Sequence, residues 1–325
     1  MKFLRIMPVL IICLLTVTGV FAQTQEAELL VNLDLTQPVN RMVWNESGDV
    51  LMLASKDAAA YIAASSPDSS NTFELNGKSY SFTSLSETGV IAALSPDWQT
   101  IYIYEPGSEE KAARTIEPGF QMLSVSVSKD GSQVLADSAE QIRTVVYDAK
   151  DGTAVHDLTG FETAAPVYDS TLSVDGTKVV WHSRGTLAVQ NVMDGTFGKT
   201  VSLWDFISDY ELSPDNSRLA VGIINDDYEA GAVIFFDPVN GKELGRTLLG
   251  KTSPNEISFC NDGSVLWASD VNSVYRIDPE TFELSAQIPV CEKEEDRIMA
   301  IASSPDGSSA AVLVNNGDLY IVGHL

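Results

Sequence analysis

The stretch LSPDNSRLAVGIINDDYEAGAVIFFDPVNGKEL, residues 212–244, alternates turn signals with short apolar runs. Residues 213–216, Ser-Pro-Asp-Asn, combine a proline that presets φ with side chains that close a turn through their own hydrogen bonds. The runs at 219–224 and 232–236 are rich in β-branched and aromatic residues, which is typical of strands. Residues 237–241, Asp-Pro-Val-Asn-Gly, again have turn chemistry. The stretch therefore predicts two strands bounded by tight turns.

Turns like the one at 213–216 recur along the chain. Their third residues are, in order, Ser47, Asp97, Asp130, Asp175, Asp215, Asp262 and Asp306. The gaps between them are 50, 33, 45, 40, 47 and 44 residues, so the period is near 43. A repeat of this length with four short strands per unit is the mark of a propeller blade. We predict an all-β, seven-bladed β-propeller, with six or eight blades as alternatives.

Two places fit this repeat poorly. Residues 65–68, Ser-Ser-Pro-Asp, could begin an eighth blade, but they lie too close to Asp97, so we assign them to the second turn of the first blade. The second poor fit is the short gap of 33 residues between Asp97 and Asp130. It predicts a second blade that lacks a strand or has very tight loops.

The two ends of the chain predict how the ring closes. The last repeat ends after its third strand at 319–322, whereas residues 28–35, Glu-Leu-Leu-Val-Asn-Leu-Asp-Leu, form a strand with no blade of its own. A linear stack of blades would expose two sheet edges. We therefore expect the N-terminal strand to pair into the last blade as its missing outer strand.

Repeats with Leu-Ser-Pro-Asp at 212–215 and Phe-Asp-Pro-Val-Asn-Gly-Lys-Glu-Leu at 236–244 resemble those of WD40-like and YVTN-type bacterial β-propellers. The resemblance covers nearly all of the chain after residue 22 and implies the propeller fold. No repeat ends its third strand in Trp-Asp, so the resemblance does not extend to a subfamily.

The first 22 residues have the pattern of a secretory signal peptide. Lys2 and Arg5 precede an apolar run at 6–17, which is shorter than the roughly 20 residues that span a bilayer. Small or permissive residues then lead to Ala22, after which we expect cleavage. We therefore expect an exported protein, periplasmic or extracellular, with one propeller domain over residues 23–325 and no membrane span in the mature chain.

The chain is strongly acidic, with 45 Asp and Glu against 20 Lys and Arg, a net charge of −25. Loss of Lys2 and Arg5 with the signal peptide would leave 18 basic residues and a net charge of −27. Such a surface repels the phosphates of nucleic acids, so we expect no nucleic-acid partner. Acidity is also a common device for solubility, so it does not by itself define a ligand.

The sequence offers few residues for catalysis or metal binding. Its three histidines, His156, His182 and His324, have no zinc-ligand spacing, and no Gly-x-Ser-x-Gly nucleophile motif occurs. The acidic segments at 226–227 and 292–296 lack the alternating carboxylates of a calcium loop. We expect no catalytic residues, no metal site and no cofactor.

Cys260 and Cys291 are the cysteines that remain after signal removal. An exported chain with two cysteines invites a disulfide. However, Cys260 ends the innermost strand of the sixth blade, and Cys291 ends its outer strand at the opposite face. Strands of five or six residues separate these faces by about 15–20 Å, whereas a disulfide tolerates Cα separations of roughly 7 Å. We predict that both thiols are free.

The top face, formed by the loops between second and third strands and between blades, is the predicted binding surface. The loop at 225–231 is the longest of its kind, and Tyr228 among acids suits an interface anchor. The predicted partner-binding residues are Arg184, Asp226, Asp227, Tyr228, Asp270, Asn272, Glu295 and Arg297. We expect a monomeric, non-enzymatic scaffold that binds a protein or peptide. The alternative is a lyase or hydrolase with its site at the central channel.

Overall fold

The structure, a computed structural model, describes residues 27–33, 39–67, 70–75, 78–108, 111–160, 169–203, 206–224, 231–250 and 253–323. These residues form seven four-stranded antiparallel sheets. The prediction of a seven-bladed all-β propeller is confirmed. We number the blades 1 to 7 along the chain. The bottom face carries the turns between first and second strands, and the top face is the opposite one.

Each blade has its first strand nearest the central axis. The first strands are β2 (Val39–Trp44), β6 (Phe82–Leu85), β10 (Met122–Val127), β14 (Asp169–Leu172), β18 (Phe206–Leu212), β22 (Glu256–Phe259) and β26 (Ile298–Ser303). The second strands are β3 (Val50–Ser55), β7 (Ile91–Leu94), β11 (Gln133–Ser138), β15 (Lys178–Ser183), β19 (Leu219–Ile224), β23 (Leu266–Ser269) and β27 (Ser309–Val314).

Two further strands complete each sheet. The third strands are β4 (Ala58–Ala63), β8 (Ile101–Tyr104), β12 (Arg143–Asp148), β16 (Thr186–Asn191), β20 (Gly231–Phe236), β24 (Ser273–Ile277) and β28 (Asp318–Gly323). The outer strands are β5 (Asn71–Glu74), β9 (Arg114–Ile116), β13 (Ala154–Thr159), β17 (Val201–Ser202), β21 (Glu243–Gly250), β25 (Leu284–Pro289) and β1 (Ala27–Asn32).

Strand β1 closes the ring as the outer strand of blade 7. It pairs antiparallel with β28, with Ala27 opposite Val322 and Asn32 opposite Asp318. The Asn32 side chain donates to Asp318 at 2.7 Å, and the Leu33 amide donates to the Gly317 carbonyl at 2.8 Å. The predicted closure is confirmed.

The hydrophobic core is divided into seven clusters, and each lies between two adjacent blades. Because side chains alternate between the faces of a strand, one strand supplies two clusters. In β11, Val134 and Ala136 pack towards blade 2, and Leu135 packs towards blade 4. Both faces of every blade are thus buried, which explains why the strands read as continuous apolar runs.

In blade 2 the first turn lies at a different position from the one predicted. Ser95–Trp98 join β7 to β8, the second and third strands, so this turn lies on the top face. The first turn is instead Ser86-Glu87-Thr88-Gly89, where the Gly89 amide donates to the Ser86 carbonyl at 3.1 Å. Thr88 lies 41 residues after Ser47 and 42 before Asp130, which removes the irregular gaps. Blade 2 has all four strands, so the expected loss of a strand is wrong, and the regular gaps remove the reason to expect especially tight loops.

The error arose because the same turn chemistry closes any tight connection. In both turns of blade 2 the first serine accepts a hydrogen bond from an amide beyond the turn, and the fourth residue has positive φ. The fourth residue is Gly89 in one case and Trp98 in the other. Residues 65–67 lie between β4 and β5, the third and fourth strands of blade 1. They belong to the second bottom-face turn of that blade, as predicted.

Candidate functional site

The first strands surround a central channel that contains a cavity of about 200 Å³. Its lining is mostly polar and includes hydroxyl side chains from blades 2, 3 and 4. Charged side chains reach it from β2, β14 and β18, namely Arg41, Asp169 and Asp209. The strands β6, β14 and β18 all begin at the top, so Phe82 and Asp169 mark the upper end of the cavity.

Buried carboxylates join the first strands of neighbouring blades. A first strand is a sheet edge, and its unpaired amides need acceptors. Asp209 Oδ2 accepts from the Ile257 amide at 2.8 Å, and Glu211 Oε2 accepts from the Phe259 amide at 2.7 Å. Glu256 accepts from the Ile301 amide. Blades 5, 6 and 7 are therefore tied together through side chains around the axis.

Burial makes two of these carboxyls, those of Asp209 and Glu256, hard to ionise. It raises the pKa of Glu256 to about 7, and the Arg41 guanidinium opposes that rise. Burial also raises the pKa of Asp209 well above its usual value, and the neighbouring Glu256 adds to the effect. The two carboxyls share one low-dielectric region with one guanidinium nearby. Protonation of one carboxyl is therefore favoured, because it removes their repulsion.

The lower end of the cavity is crossed by an ion-pair network. Lys129 Nζ lies 3.2 Å from a Glu211 oxygen and 3.7 Å from a Glu87 oxygen. All three side chains are less than one fifth exposed. The Asn261 side chain donates to Glu87 at 3.4 Å. These residues come from blades 2, 3, 5 and 6, so the network spans the channel.

A further buried carboxylate, Asp137 on β11, links blades 3 and 4. It accepts from Ser124 Oγ at 2.5 Å, from the Ser170 amide at 2.9 Å and from Ser170 Oγ at 2.5 Å, and Thr144 Oγ1 is a further partner. Burial raises the pKa of Asp137 to about 6 in spite of these donors. Asp137 therefore holds four polar groups in one buried position.

Next to this link, three polar side chains meet near the upper end of the channel. His182 Nδ1 lies 3.1 Å from Asp169 Oδ1, and the His182 ring contacts the Tyr210 ring edge-on at 5.4 Å. Tyr210 also hydrogen-bonds Asp169, and burial raises its pKa well above its ordinary value. The sequence around His182 did not reveal these two partners, because they come from the first strands of blades 4 and 5.

Four of the predicted binding residues lie together at the top of blade 6. The Asn272 carbonyl accepts from the Val290 and Cys291 amides, which brings the turn after β23 against the connection to blade 7. Glu295 and Arg297 are exposed in that connection. Asp270 differs, because it is only 2% exposed. Its carboxylate accepts from the amides of Asn272 and Ser273 and from the Tyr275 hydroxyl, so it holds the turn in place.

The remaining predicted residues do not join that group. Arg184 is exposed in the turn between β15 and β16 of blade 4, two blades away. Asp226, Asp227 and Tyr228 lie outside the described residues. Cys260 is buried in the first turn of blade 6, and Cys291 follows β25 at the other end of the blade. Their free state remains a prediction.

Three first strands begin at the top with exposed apolar side chains. Phe82 opens β6 with 39% of its surface exposed, Phe206 opens β18 with 69%, and Met299 is the second residue of β26 with 41%. We call these three residues the apolar rim. Exposed apolar side chains on one face of a protein can mark an interaction site, and these three share the top face. Sequence reasoning missed the rim because its members belong to otherwise ordinary strand patterns.

The described residues contain neither a metal-binding cluster nor a membrane-spanning helix. No group of three or more His, Cys, Asp or Glu side chains there is placed to hold a metal ion. No helix in the described part of the chain has the length and apolar character needed to cross a membrane.

Comparison with known proteins identifies the fold. No family model matches the chain, and no curated protein matches it. Among solved structures, Kuenenia stuttgartiensis hydrazine synthase is similar with a TM-score of 0.70 and 12% identity, covering 90% of this chain and 97% of that one. The β-propeller domain of Cps50 (Swd1) from Myceliophteria thermophila gives 0.68 and 13%, covering 92% and 100%.

These similarities are shared with many proteins. In all, 1607 solved chains match, and identities of 12–13% show the fold alone. The chain has a WD40-type seven-bladed propeller fold. Its function must therefore be argued from its own surface and channel.

Proposed function

We propose that this protein is an exported, non-enzymatic propeller that binds a protein or peptide on its top face. The apolar rim carries the proposal, because Phe82, Phe206 and Met299 expose hydrophobic area on the top face, and Phe82 also lines the polar cavity. Apolar anchors within a polar surround are the usual composition of a binding patch. The N-terminal secretory pattern supports export to the periplasm or the cell exterior.

The group Asn272, Glu295 and Arg297 extends the proposed surface. All three are exposed on the top face beside the start of β26, where Met299 lies. They would supply the polar margin of the interface. Asp270 acts behind them by holding the turn that presents Asn272.

A comparison of two double variants tests the proposal. Peptides are selected from a displayed random library on the wild-type protein. Replacement of Phe206 and Met299 by Ser should weaken the selected peptides about tenfold or more, as loss of interface anchors does. The matched control replaces Met193 and Val239 by Ser, since these are 76% and 74% exposed on the bottom face. Equal loss in both variants, or loss in neither, would contradict a top-face site.

An enzyme with its site at the channel is the second candidate, and one observation favours it. Asp169, His182 and Tyr210 form a connected set of proton donors and acceptors beside the cavity. A buried titratable group with a perturbed pKa beside a cleft, here Tyr210, is a recognised sign of catalysis. Small-molecule turnover that is abolished by His182→Gln, with the top-face binding intact, would favour this candidate over the first.

A further inference from the structure

The bottom face carries the two most exposed large apolar side chains of the described residues. Met193 is 76% exposed and Val239 is 74% exposed. Met193 lies in the turn after β16 of blade 4, and Val239 lies in the turn after β20 of blade 5. The blades are adjacent, and both turns lie within the described ranges 169–203 and 231–250.

The repeat shows what this turn position holds elsewhere in the ring. In blades 3 to 6 the turn after the third strand has five residues, and the amide of the fifth donates to the carbonyl of the first at 2.7–2.9 Å. The fifth residue has positive φ in each case. The third residues of the four turns, all of them exposed, are Lys150, Met193, Val239 and Glu280. Since the same turn forms with a charged residue in blades 3 and 6, the fold does not require an apolar side chain here.

The chain that leaves the blade 4 turn joins the two turns into one patch. Phe197, which is 38% exposed, follows that turn, and the Lys199 amide then donates to the Val239 carbonyl at 2.9 Å. Gly198 allows this approach, because a Cβ atom there would lie 2.1 Å from the Pro238 carbonyl oxygen. Contiguous exposed apolar area can mark an interaction site. We call three side chains the apolar corner, namely Met193, Phe197 and Val239.

The apolar corner lies in a part of the chain with balanced charge, although the chain as a whole is acidic. Residues 191–200 and 236–246 carry three basic and three acidic side chains, against 20 and 45 in the whole chain. Lys199 and Lys242 are exposed, and within the described ranges only their backbone groups take part in hydrogen bonds or ion pairs. Both are close to Val239, since Lys199 bonds its carbonyl and Lys242 follows its turn.

The three acids of these segments already have partners. Asp194 and Asp237 accept hydrogen bonds from amides of their own turns at 3.0 and 2.8 Å. A Glu243 oxygen lies 2.7 Å from a nitrogen of Arg246. A negative group that reaches the corner can therefore pair with a lysine without displacing an existing partner.

Size and charge together favour a short segment as the occupant. Three side chains are far fewer than the roughly 20–30 residues a side of a standard interface. An anionic bilayer or a second copy of this chain would bring many negative charges against a net charge of −25, and such surfaces repel each other. A short segment brings few charges, and its repulsion by distant acids is screened beyond about 8–10 Å.

We propose that the apolar corner docks a short segment of a partner protein that carries apolar side chains beside an acidic residue. The apolar side chains would cover the corner, and the acidic residue would pair with Lys199 or Lys242. This surface lies on the opposite face from the apolar rim, so the inference does not depend on the proposed top-face site. A chain with both surfaces holds two partners at once.

The experiment isolates the corner from the rim. Peptides are selected from a displayed random library on the full-length variant with Phe206→Ser and Met299→Ser, and they should contain apolar residues next to Asp or Glu. Met193→Lys with Val239→Glu then gives the two turns the residue types of blades 3 and 6. This change should weaken the selected peptides about tenfold or more, as loss of interface anchors does.

The matched control is Val155→Lys with Leu284→Glu, on the outer strands of blades 3 and 6. It removes two apolar side chains that are 49% and 40% exposed and adds the same two charges away from the corner. The affinity for the peptides should not change. Both double variants alter exposed positions, so their melting temperatures should stay near that of the parent, and a loss of binding is then not a loss of folding.

A double-mutant cycle tests the two lysines. Replacement of the acidic residue of a selected peptide by its amide should weaken binding severalfold when the lysines are present. The same replacement should have no effect on a variant with Lys199→Gln and Lys242→Gln, because the charge partner is gone.

The inference is wrong if no selected peptide depends on Met193 and Val239, or if those that do bind equally well without an acidic residue. It is also wrong if these two residues instead support binding to vesicles of equal parts phosphatidylcholine and phosphatidylglycerol, or self-association in sedimentation, because the corner would then contact lipid or a second copy. Peptides selected on the wild type that depend on Phe206 and Met299 test the top face separately. Either proposal can therefore fail while the other stands.

Discussion

The bottom-face turns and the central channel use the same interaction with opposite electrostatic results. In the turn of blade 7, Asp306 accepts from the Ser308 amide at 3.0 Å and from the Ser304 hydroxyl at 2.7 Å. These local donors lower the pKa of Asp306 below its ordinary value. In the channel, Asp209 accepts an amide of the next blade, and burial raises its pKa.

The difference shows that hydrogen bonding to an amide does not by itself decide the charge of a carboxyl. The turn aspartate stays near water, so its donors stabilise the anion at little cost in desolvation. The channel carboxyls lose water on burial, and one or two amides do not replace it. The turn aspartate therefore stabilises the fold as an anion, whereas the channel carboxyls of Asp209 and Glu256 are most stable when they are partly protonated.

The largest expected effect comes from removing an interblade carboxylate. Asp137→Ala should lower the free energy of unfolding by about 3 kcal/mol or more, because it leaves the buried Ser170 amide and the hydroxyls of Ser124 and Thr144 without their acceptor. Urea unfolding of both proteins measures the change. A loss no greater than that of a turn variant would mean that burial adds nothing to these bonds.

The pH dependence of stability should reveal the channel carboxyls. Glu256 holds its proton in the folded protein up to about pH 7, whereas the unfolded chain releases it near 4.5, so the free energy of unfolding should fall as pH rises between these values. The expected contribution is on the order of 3 kcal/mol. Glu256→Gln should flatten the fall in melting temperature between pH 5 and 8.

Self-repulsion of an acidic chain acts in the same direction as pH rises. The control for this effect is Glu140→Gln, which removes the same charge from the exposed surface. If both variants flatten the profile equally, the effect comes from net charge and not from the channel.

The smallest expected effect belongs to a single turn. Asp306→Ala should lower the free energy of unfolding by about 1 kcal/mol, since Asp306 is exposed and water can replace much of the bonding that is lost. The pKa of Asp306 is lowered, so the contribution is present above its unfolded pKa near 3.8 and disappears as pH falls through the folded value. Below that range, wild type and variant should have the same melting temperature. A difference that persisted at low pH would show that Asp306 does not act through its charge.

Much of the propeller could be predicted because its signals are local. The apolar run at 219–224 and the turn at 213–216 lie within a few residues of each other, and β19 and its turn formed where predicted. The unpaired N-terminal strand was recognised by counting strands. The predicted position of the first turn of blade 2 was wrong, because Ser95–Trp98 and Ser86–Gly89 have the same turn geometry. The sequence pattern does not show which face of the ring a turn occupies.

The candidate site depends on contacts that join distant parts of the chain. Asp209 and Glu211 appear in the sequence as polar interruptions of a strand, and nothing local shows that they accept amides 48 residues away. The apolar rim is likewise assembled from blades 2, 5 and 7. By itself the sequence determined most of the strands and turns, the sevenfold repeat and the closure of the ring, because short-range patterns carry that information. Only the tertiary structure decided which side chains meet at the axis and what charge they hold, because closing the ring sets both their separation and their removal from water.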